Sequence, residues 1–192
     1  MNLPLLKFAD TPQSDADEKA VRLHEVAKAL QHKLDQPRSI TRQLLKRLMS
    51  EAFGGSDAEG CWSMRDAYDA LEAAQAMQMQ RSGDDKTAPR RLEDDFTDIL
   101  AFEKALPTQT YRSEHQVDMQ QFSTPAALCW LASRAAAITP DDHVLEPSAG
   151  TGMLAARAIS VGARVSLNER DPSRAALLAL STNRDVATHD AE

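Results

Sequence analysis

Positive charge is in short supply. Lysine and arginine total 22 against 29 aspartates and glutamates, a formal charge of −7. A stand-alone DNA binder neutralises phosphates with a basic face, so any DNA contact here needs a local basic patch or protein beyond these residues. Cysteine is nearly absent. Cys61 and Cys129 lie far apart, match no metal-ligand spacing, and read as buried small hydrophobes in a reducing, cytoplasmic setting. No apolar run approaches the roughly 20 residues that cross a bilayer. Residues 1–10 carry one lysine and no sustained apolar stretch, so they do not form a secretory signal, and no membrane partner is expected. The 5 histidines are scattered; His24 and His32 stand too far apart on one helix to chelate, and no metal site is assigned. No internal repeat occurs. What is present is 42% hydrophobic residues in a chain of 192. That supports one medium domain or two small ones and excludes global disorder.

Residues 1–119 read as helices joined by polar connections. Ala20, Leu23, Ala27, Leu30 and Leu34 fall on one stripe at helical spacing and predict a helix over 14–34. A second helix is predicted over 41–53, with Leu44, Leu45, Leu48 and Met49 apolar and Gly54-Gly55 as its stop. A third, over 63–80, presents Ala67, Ala70, Leu71, Ala74 and Met77. That narrow, alanine-rich face implies close helix–helix approach and no large aromatic core. The polar stretch 81–92, with Gly83 and Pro89, reads as an exposed linker. A fourth helix is predicted over 93–106, ended by Pro107.

After Gln120 the pattern changes. Thr124-Pro125 predicts a helix start, with the threonine hydroxyl as N-cap and the helix running to Ile138. A strand over 143–147, a glycine-containing loop, and a helix over 153–161 closed by Gly162 follow. A second strand spans 163–168, Asp171-Pro172 caps another helix, and 185–189 forms a third strand. The order βαβαβ is half of a doubly wound parallel sheet. The fold expected is therefore α/β, a helical N-terminal region followed at residue 120 by an incomplete Rossmann-like half-domain of three strands. Such a sheet has an unprotected edge.

The chemistry centres on Leu-Glu-Pro-Ser-Ala-Gly-Thr-Gly-Met-Leu-Ala, residues 145–155. A loop without bulky side chains at a strand end lets a ligand lie against backbone, and Gly150 and Gly152 supply that approach. The helix that follows is expected to aim its N-terminal amides at an anionic group. Glu169 ends the next strand, where a carboxylate accepts hydrogen bonds from both hydroxyls of a ribose, each worth ~1.5–3 kcal/mol. Gly150, Gly152 and Ala155 also satisfy the nicotinamide dinucleotide fingerprint. Glu146 opposes that reading: a carboxylate just before the loop repels a pyrophosphate but attracts the α-amino group of a methionyl moiety. The 120–125 segment opposes it too, because a dinucleotide fold begins with its first strand. S-adenosylmethionine (SAM) is favoured.

Residues 146–152, Glu-Pro-Ser-Ala-Gly-Thr-Gly, resemble motif I of class I SAM-dependent methyltransferases, particularly the adenine-N6 DNA type. Gln-Phe-Ser-Thr-Pro at 121–125 resembles the segment upstream of motif I in that type. The resemblance implies Phe122 beside the cofactor and Thr124 at its carboxylate end. Asn168-Glu169 resembles motif II, with Glu169 on the ribose, and Asp190 falls where the family places an acid near adenine. The candidate cofactor-binding set is thus Phe122, Ser123, Thr124, Glu146, Ser148, Ala149, Gly150, Gly152, Asn168, Glu169 and Asp190. More narrowly, residues 106–114 with 120–125, and the leader segments 54–62 and 66–70, resemble bacterial proteins that join a methyltransferase-like region to a strawberry notch-type helicase. The resemblance spans residues 38–192.

One departure bears on mechanism. Adenine-N6 methyltransferases carry an (Asn/Asp/Ser)-Pro-Pro-aromatic segment that receives the target amine of a flipped base, and none of the 9 prolines here is adjacent to another. No helicase phosphate loop occurs either. The expectation is a SAM-binding part of a larger methyltransferase and helicase protein, inactive alone, with no catalytic residue assigned and DNA bound only by the longer protein. A non-catalytic or degenerate nucleotide-binding module and an NAD-dependent oxidoreductase fragment are the alternatives. Among lesser signals, Lys33, Arg38, Arg42, Lys46 and Arg47 read as a solvated helix face. Arg112-Ser-Glu114 either orders the cofactor segment or forms an exposed ion pair, and Trp62 and Trp130 read as packing anchors.

Overall fold

Capping chemistry sets where the helices begin and end. In the computed structural model, which describes residues 15–81, 91–108 and 123–191, α1 spans Asp15–Gln31 with Asp15, Asp17 and Glu18 in its first turn. Those carboxylates sit at the positive end of the helix dipole. Helix α2, Arg42–Phe53, opens where the Thr41 side chain accepts from the Leu44 amide and closes on Gly54 at φ 71°. Before α3, Met64–Arg81, Ser63 and Asp66 cap each other reciprocally: the Ser63 amide donates to Asp66 at 2.9 Å and the Asp66 amide to the Ser63 hydroxyl at 3.2 Å. Helix α4 covers Leu92–Ala105. A short 3₁₀ turn, Pro37–Ser39, lies between α1 and α2.

The second stretch contains α5 (Ala126–Ala135), β1 (His143–Glu146), α6 (Ala156–Ser160), β2 (Arg164–Asn168), α7 (Pro172–Thr182) and β3 (Val186–Ala187). The strands form one parallel sheet in the order β1-β2-β3. The described chain is therefore mixed helix and strand, mostly helical, with a small parallel sheet. Asp171 caps α7 through the Arg174 amide at 3.0 Å, with Pro172 at the first helical position. No helix among the described residues is long and apolar enough to cross a membrane.

Two neighbouring leucines on α7 tie the stretches together. Leu177 enters the core built from Leu23, Leu30, Leu45, Met49 and Leu71 of α1–α3. Leu178 packs with Ala149, Ala155 and Leu167 over the sheet. Ala67, Ala70, Ala73, Ala74 and Ala76 of α3 and Ala156 and Ala158 of α6 are fully buried, so α3 approaches α6 and α7 closely. The alanine-rich face expected of α3 thus serves contact with the sheet's own helices as well as with α1. On the far face of the sheet Leu145 is 68% exposed, and His143 bonds Ser166 at 2.9 Å.

Four local expectations are corrected. Thr124 does not cap α5. Pro125, with ψ 144°, occupies the N-cap position itself, and the Ala127 amide is satisfied by the Glu103 carboxylate of α4 at 3.1 Å. The same helix stops at Ala135 instead of Ile138, because Ala137 turns to φ 48°. The helix expected from Met153 begins only at Ala156, since Gly152 at φ 93° holds the preceding residues in turns. Cys61 is exposed, whereas Cys129 is buried; neither forms a disulfide. Cys61 sits in the turn closed by its own amide on Ser56 O at 3.2 Å, which keeps it at the surface. The third strand is shorter than expected, and the 82–90 part of the linker, the boundary at 119–120 and Arg112–Glu114 lie outside the described residues.

Candidate functional site

A cleft of about 240 Å³ opens at the carboxyl ends of the three strands, where ligands of parallel sheets bind. The loop after β1 forms one wall, with Ser148, Ala149, Gly150 and Thr151; Asn168, Glu169 and Arg170 follow β2, and His189 and Asp190 follow β3. Ser123 and Thr124 close the side nearest α5, and Arg174 of α7 lies beneath the loop. Eight of the residues singled out from sequence therefore meet here: Ser123, Thr124, Ser148, Ala149, Gly150, Asn168, Glu169 and Asp190. Phe122 lies outside the described residues.

Glu169 fastens the glycine loop to the sheet. Its Oε2 accepts from the Gly150 amide at 2.8 Å and its Oε1 from the Asp171 amide at 3.0 Å. The side chain is buried, yet it belongs to the cleft wall. Each carboxylate oxygen carries two lone pairs, so acceptor capacity remains toward the cleft after both backbone bonds are made. The loop is also registered on β2 by the Ala149 amide, which donates to Asn168 O at 2.8 Å.

The glycines divide their work. Gly150 stands at φ 56°, and a Cβ there would lie 3.0 Å from the Arg174 guanidinium. Gly152 lies outside the cleft wall: a Cβ on it would come within 2.7 Å of Leu178 Cδ1, so this glycine permits close packing of the loop on α7. The short α6 supplies no long helix dipole directed at the cleft. Loop backbone, the carboxylates of Glu169 and Asp190 and the guanidiniums of Arg170 and Arg174 line it instead.

Asn168 acts as a staple. Its Nδ2 donates to Pro147 O at 2.9 Å and His189 O at 3.0 Å, while its Oδ1 accepts from the His189 amide at 2.9 Å. One amide side chain thus joins the ends of all three strands. Asp190 pairs with Arg170 at 3.2 Å on the rim. Glu146 sits half-buried at the end of β1, outside the cleft lining, where its Oε1 accepts from the Ser148 amide at 3.3 Å.

Beneath the cleft lies a charged cluster contributed by α3 and α7. Arg174 Nε approaches Asp69 at 3.4 Å and Arg174 NH2 approaches Glu72 at 3.9 Å; Arg65 also bonds Asp69 at 3.3 Å. Burial raises the Asp69 pKa against the pull of Arg174 and Arg65. Burial and the nearby Asp69 charge push Glu72 up to about 7, opposed by the Ser123 hydroxyl, Arg174 and Thr151. Removal from water works to lower the Arg174 pKa, and the surrounding carboxylates of Asp69, Glu72, Glu169 and Asp171 outweigh it. The Cys129 thiol is pushed up to about 12 by burial and by the charges of Glu146, Glu103 and Glu72. It stays protonated and is no nucleophile.

Glu72, Asp69, Arg174 and Thr151 escaped the sequence reading. A signal for two of them exists: Asp66, Asp69 and Glu72 recur every third residue of α3 beside buried alanines, an acidic row on a packed face. The basic residues around α2 are committed locally. Arg42 bonds Tyr68 Oη at 3.2 Å and Thr108 O at 3.1 Å, and Lys46 pairs with Asp57 at 2.8 Å. Trp62 is buried with its indole N–H on Gly55 O at 2.8 Å, and Trp130 packs against Phe96.

No protein-family model matches this chain, and no curated protein and no solved structure matches it.

Proposed function

We propose that the cleft binds S-adenosylmethionine and that the chain is the SAM-binding portion of a DNA (adenine-N6) methyltransferase-like protein, built on a Rossmann-like half-sheet. The observation that carries this reading is the Glu169 carboxylate, held against the Gly150 amide at 2.8 Å at the mouth of a parallel sheet. That arrangement offers charged acceptors to a ribose diol while the bare loop backbone admits the nucleoside. The donor set suits a cationic ligand. Glu169 and Asp190 line the cleft together with Arg170 and Arg174, and Glu146 at the end of β1 adds a further carboxylate beside it, so acids outnumber arginines at this end of the sheet. Both guanidiniums of the described wall are engaged by carboxylates, Arg170 by Asp190 and Arg174 by Asp69, which disfavours a pyrophosphate and hence NAD.

In this reading Glu169 orients the ribose, Asp190 faces the adenine side, and Thr124 lies at the carboxylate end. When bound, SAM supplies an electrophilic methyl on its sulfonium. The chain's own residues hold the donor only, because no Pro-Pro-aromatic segment is present to receive a flipped adenine. DNA is accordingly a partner of a longer protein, and a cytoplasmic setting suits two unpaired cysteines.

Calorimetric titration with SAM and with NAD tests the reading. Micromolar heat with SAM alone, lost about tenfold or more in Glu169→Ala, supports it, since one hydrogen bond to a charged acceptor is worth ~1.5–3 kcal/mol. Binding of NAD alone would make the chain an oxidoreductase fragment. Heat from neither would leave a non-catalytic module.

A further inference from the structure

Helix α3 meets two walls of the cleft from beneath, through the Glu72 carboxylate. Glu72 Oε2, on α3, accepts from the Ser123 hydroxyl at 2.6 Å and from the Thr151 hydroxyl at 3.3 Å. Those donors stand on two different walls: Ser123 precedes α5, and Thr151 belongs to the glycine loop. The three residues are remote in sequence, 51 positions separating Glu72 from Ser123 and 79 from Thr151. Thr151 is buried and the Glu72 side chain is 21% exposed, whereas Ser123 stands at the surface, so the junction ties an exposed segment to a packed loop. Arg174, whose NH2 is 3.9 Å from the same oxygen, lies below it and against Gly150.

We propose that Glu72 is a positioning residue for the cleft, clasping the Ser123 segment to the Thr151 loop so that helix α3 sets the spacing between the two walls. The inference rests on the SAM reading for its ligand and on the junction's geometry for its mechanism. A carboxylate oxygen that receives two hydroxyls from separate segments fixes their separation more tightly than either segment fixes it alone. Helix α3 is suited to the task because its buried alanines anchor it against α1, α6 and α7. The helical region thereby becomes part of the ligand site without supplying a group that touches the ligand.

The whole chain is used for the test. SAM is titrated calorimetrically into the wild type, Glu72→Ala, Glu72→Gln, Ser123→Ala and the Glu72→Ala/Ser123→Ala double variant. Glutamine loses the charge and one acceptor oxygen but keeps the single oxygen that both hydroxyls need, so it should bind within about threefold of wild type. Glu72→Ala and Ser123→Ala should each weaken SAM about tenfold, or about 1.4 kcal/mol. The double variant should be no weaker than either single one, because both break the same clasp. An unchanged Kd in Glu72→Ala, or losses that multiply in the double variant, overturns the proposal.

Hydrogen exchange on the ligand-free protein separates this idea from the ligand's identity. Amides of residues 123–127 and 148–153 should exchange faster in Glu72→Ala than in wild type, with α1 unaffected as the control for folding. Equal exchange in those segments rejects the clasp whether or not SAM binds. Faster exchange together with no SAM binding by the wild type keeps the clasp and rejects the ligand.

Discussion

The helices and the sheet differ in how completely they are enclosed. In α1–α3, Leu23, Leu30, Leu45, Met49 and Leu71 are essentially sealed from solvent; in the sheet, Leu145 stands 68% exposed. The cleft belongs to the weaker half. Its rigidity is borrowed through α7, where Leu177 joins the helical core and Leu178 the sheet, and through Glu72 and Arg174 beneath the loop. A site on thin support is made firm by docking it on a thick one.

The largest break in that contrast comes from truncating one leucine in each half. Leu30→Ala should cost about 2–5 kcal/mol, the usual toll of a buried leucine and its cavity, whereas Leu145→Ala should stay within about 0.5 kcal/mol, as for a surface change. Urea unfolding of both variants checks this, and equal losses would remove the distinction. Gly152→Ala probes the seam. With φ at 93° and Leu178 Cδ1 at 2.7 Å from the added methyl, a loss of about 1–3 kcal/mol is expected in thermal unfolding. A neutral outcome would show that the loop and α7 are not closely packed.

The smallest effect sharpens the comparison by pH. Folded Glu72 titrates about 7, above the ordinary 4.5, chiefly from burial, so between those values the native state binds its proton more tightly than the unfolded chain. The stabilisation from that proton is complete below pH 4.5 and is lost as pH rises through 7. Asp69 faces Glu72 from α3 and shifts in the same direction, while Arg174 of α7 opposes both. Urea midpoints measured from pH 4.5 to 8 should therefore show Glu72→Gln gaining on wild type as pH rises, by on the order of 1 kcal/mol. A pH-independent difference between the two would contradict the shift.

Much of the scaffold was legible because its causes are local. Gly54 after α2, Asp171-Pro172 before α7 and Gly162 after α6 act within a turn of themselves, and residue identity is enough to place them. The meeting of Gly150 with Glu169 was also foreseeable, since a parallel strand–loop–helix–strand unit brings a loop and the next strand's end together. Where tertiary partners decided, the reading failed. Glu103 satisfies the first turn of α5 in place of Thr124, and Gly152, expected to open the loop to a ligand, makes room for Leu178 instead. Glu72 gave no hint of Ser123 or Thr151, because nothing in a sequence records which packed helix face will reach a loop across the core.

The Asn168 staple has a kinetic consequence. Its Nδ2 and Oδ1 bridge Pro147 and His189 at 2.9–3.0 Å, so the floor between the strand ends is braced by the chain's own side chain and any molecule entering the cleft would meet it as a built surface. A visiting molecule need not wait for these loops to find one another, and little ordering entropy is spent at that moment. Arrival is then governed by diffusion and charge, and residence time by how many contacts must break together.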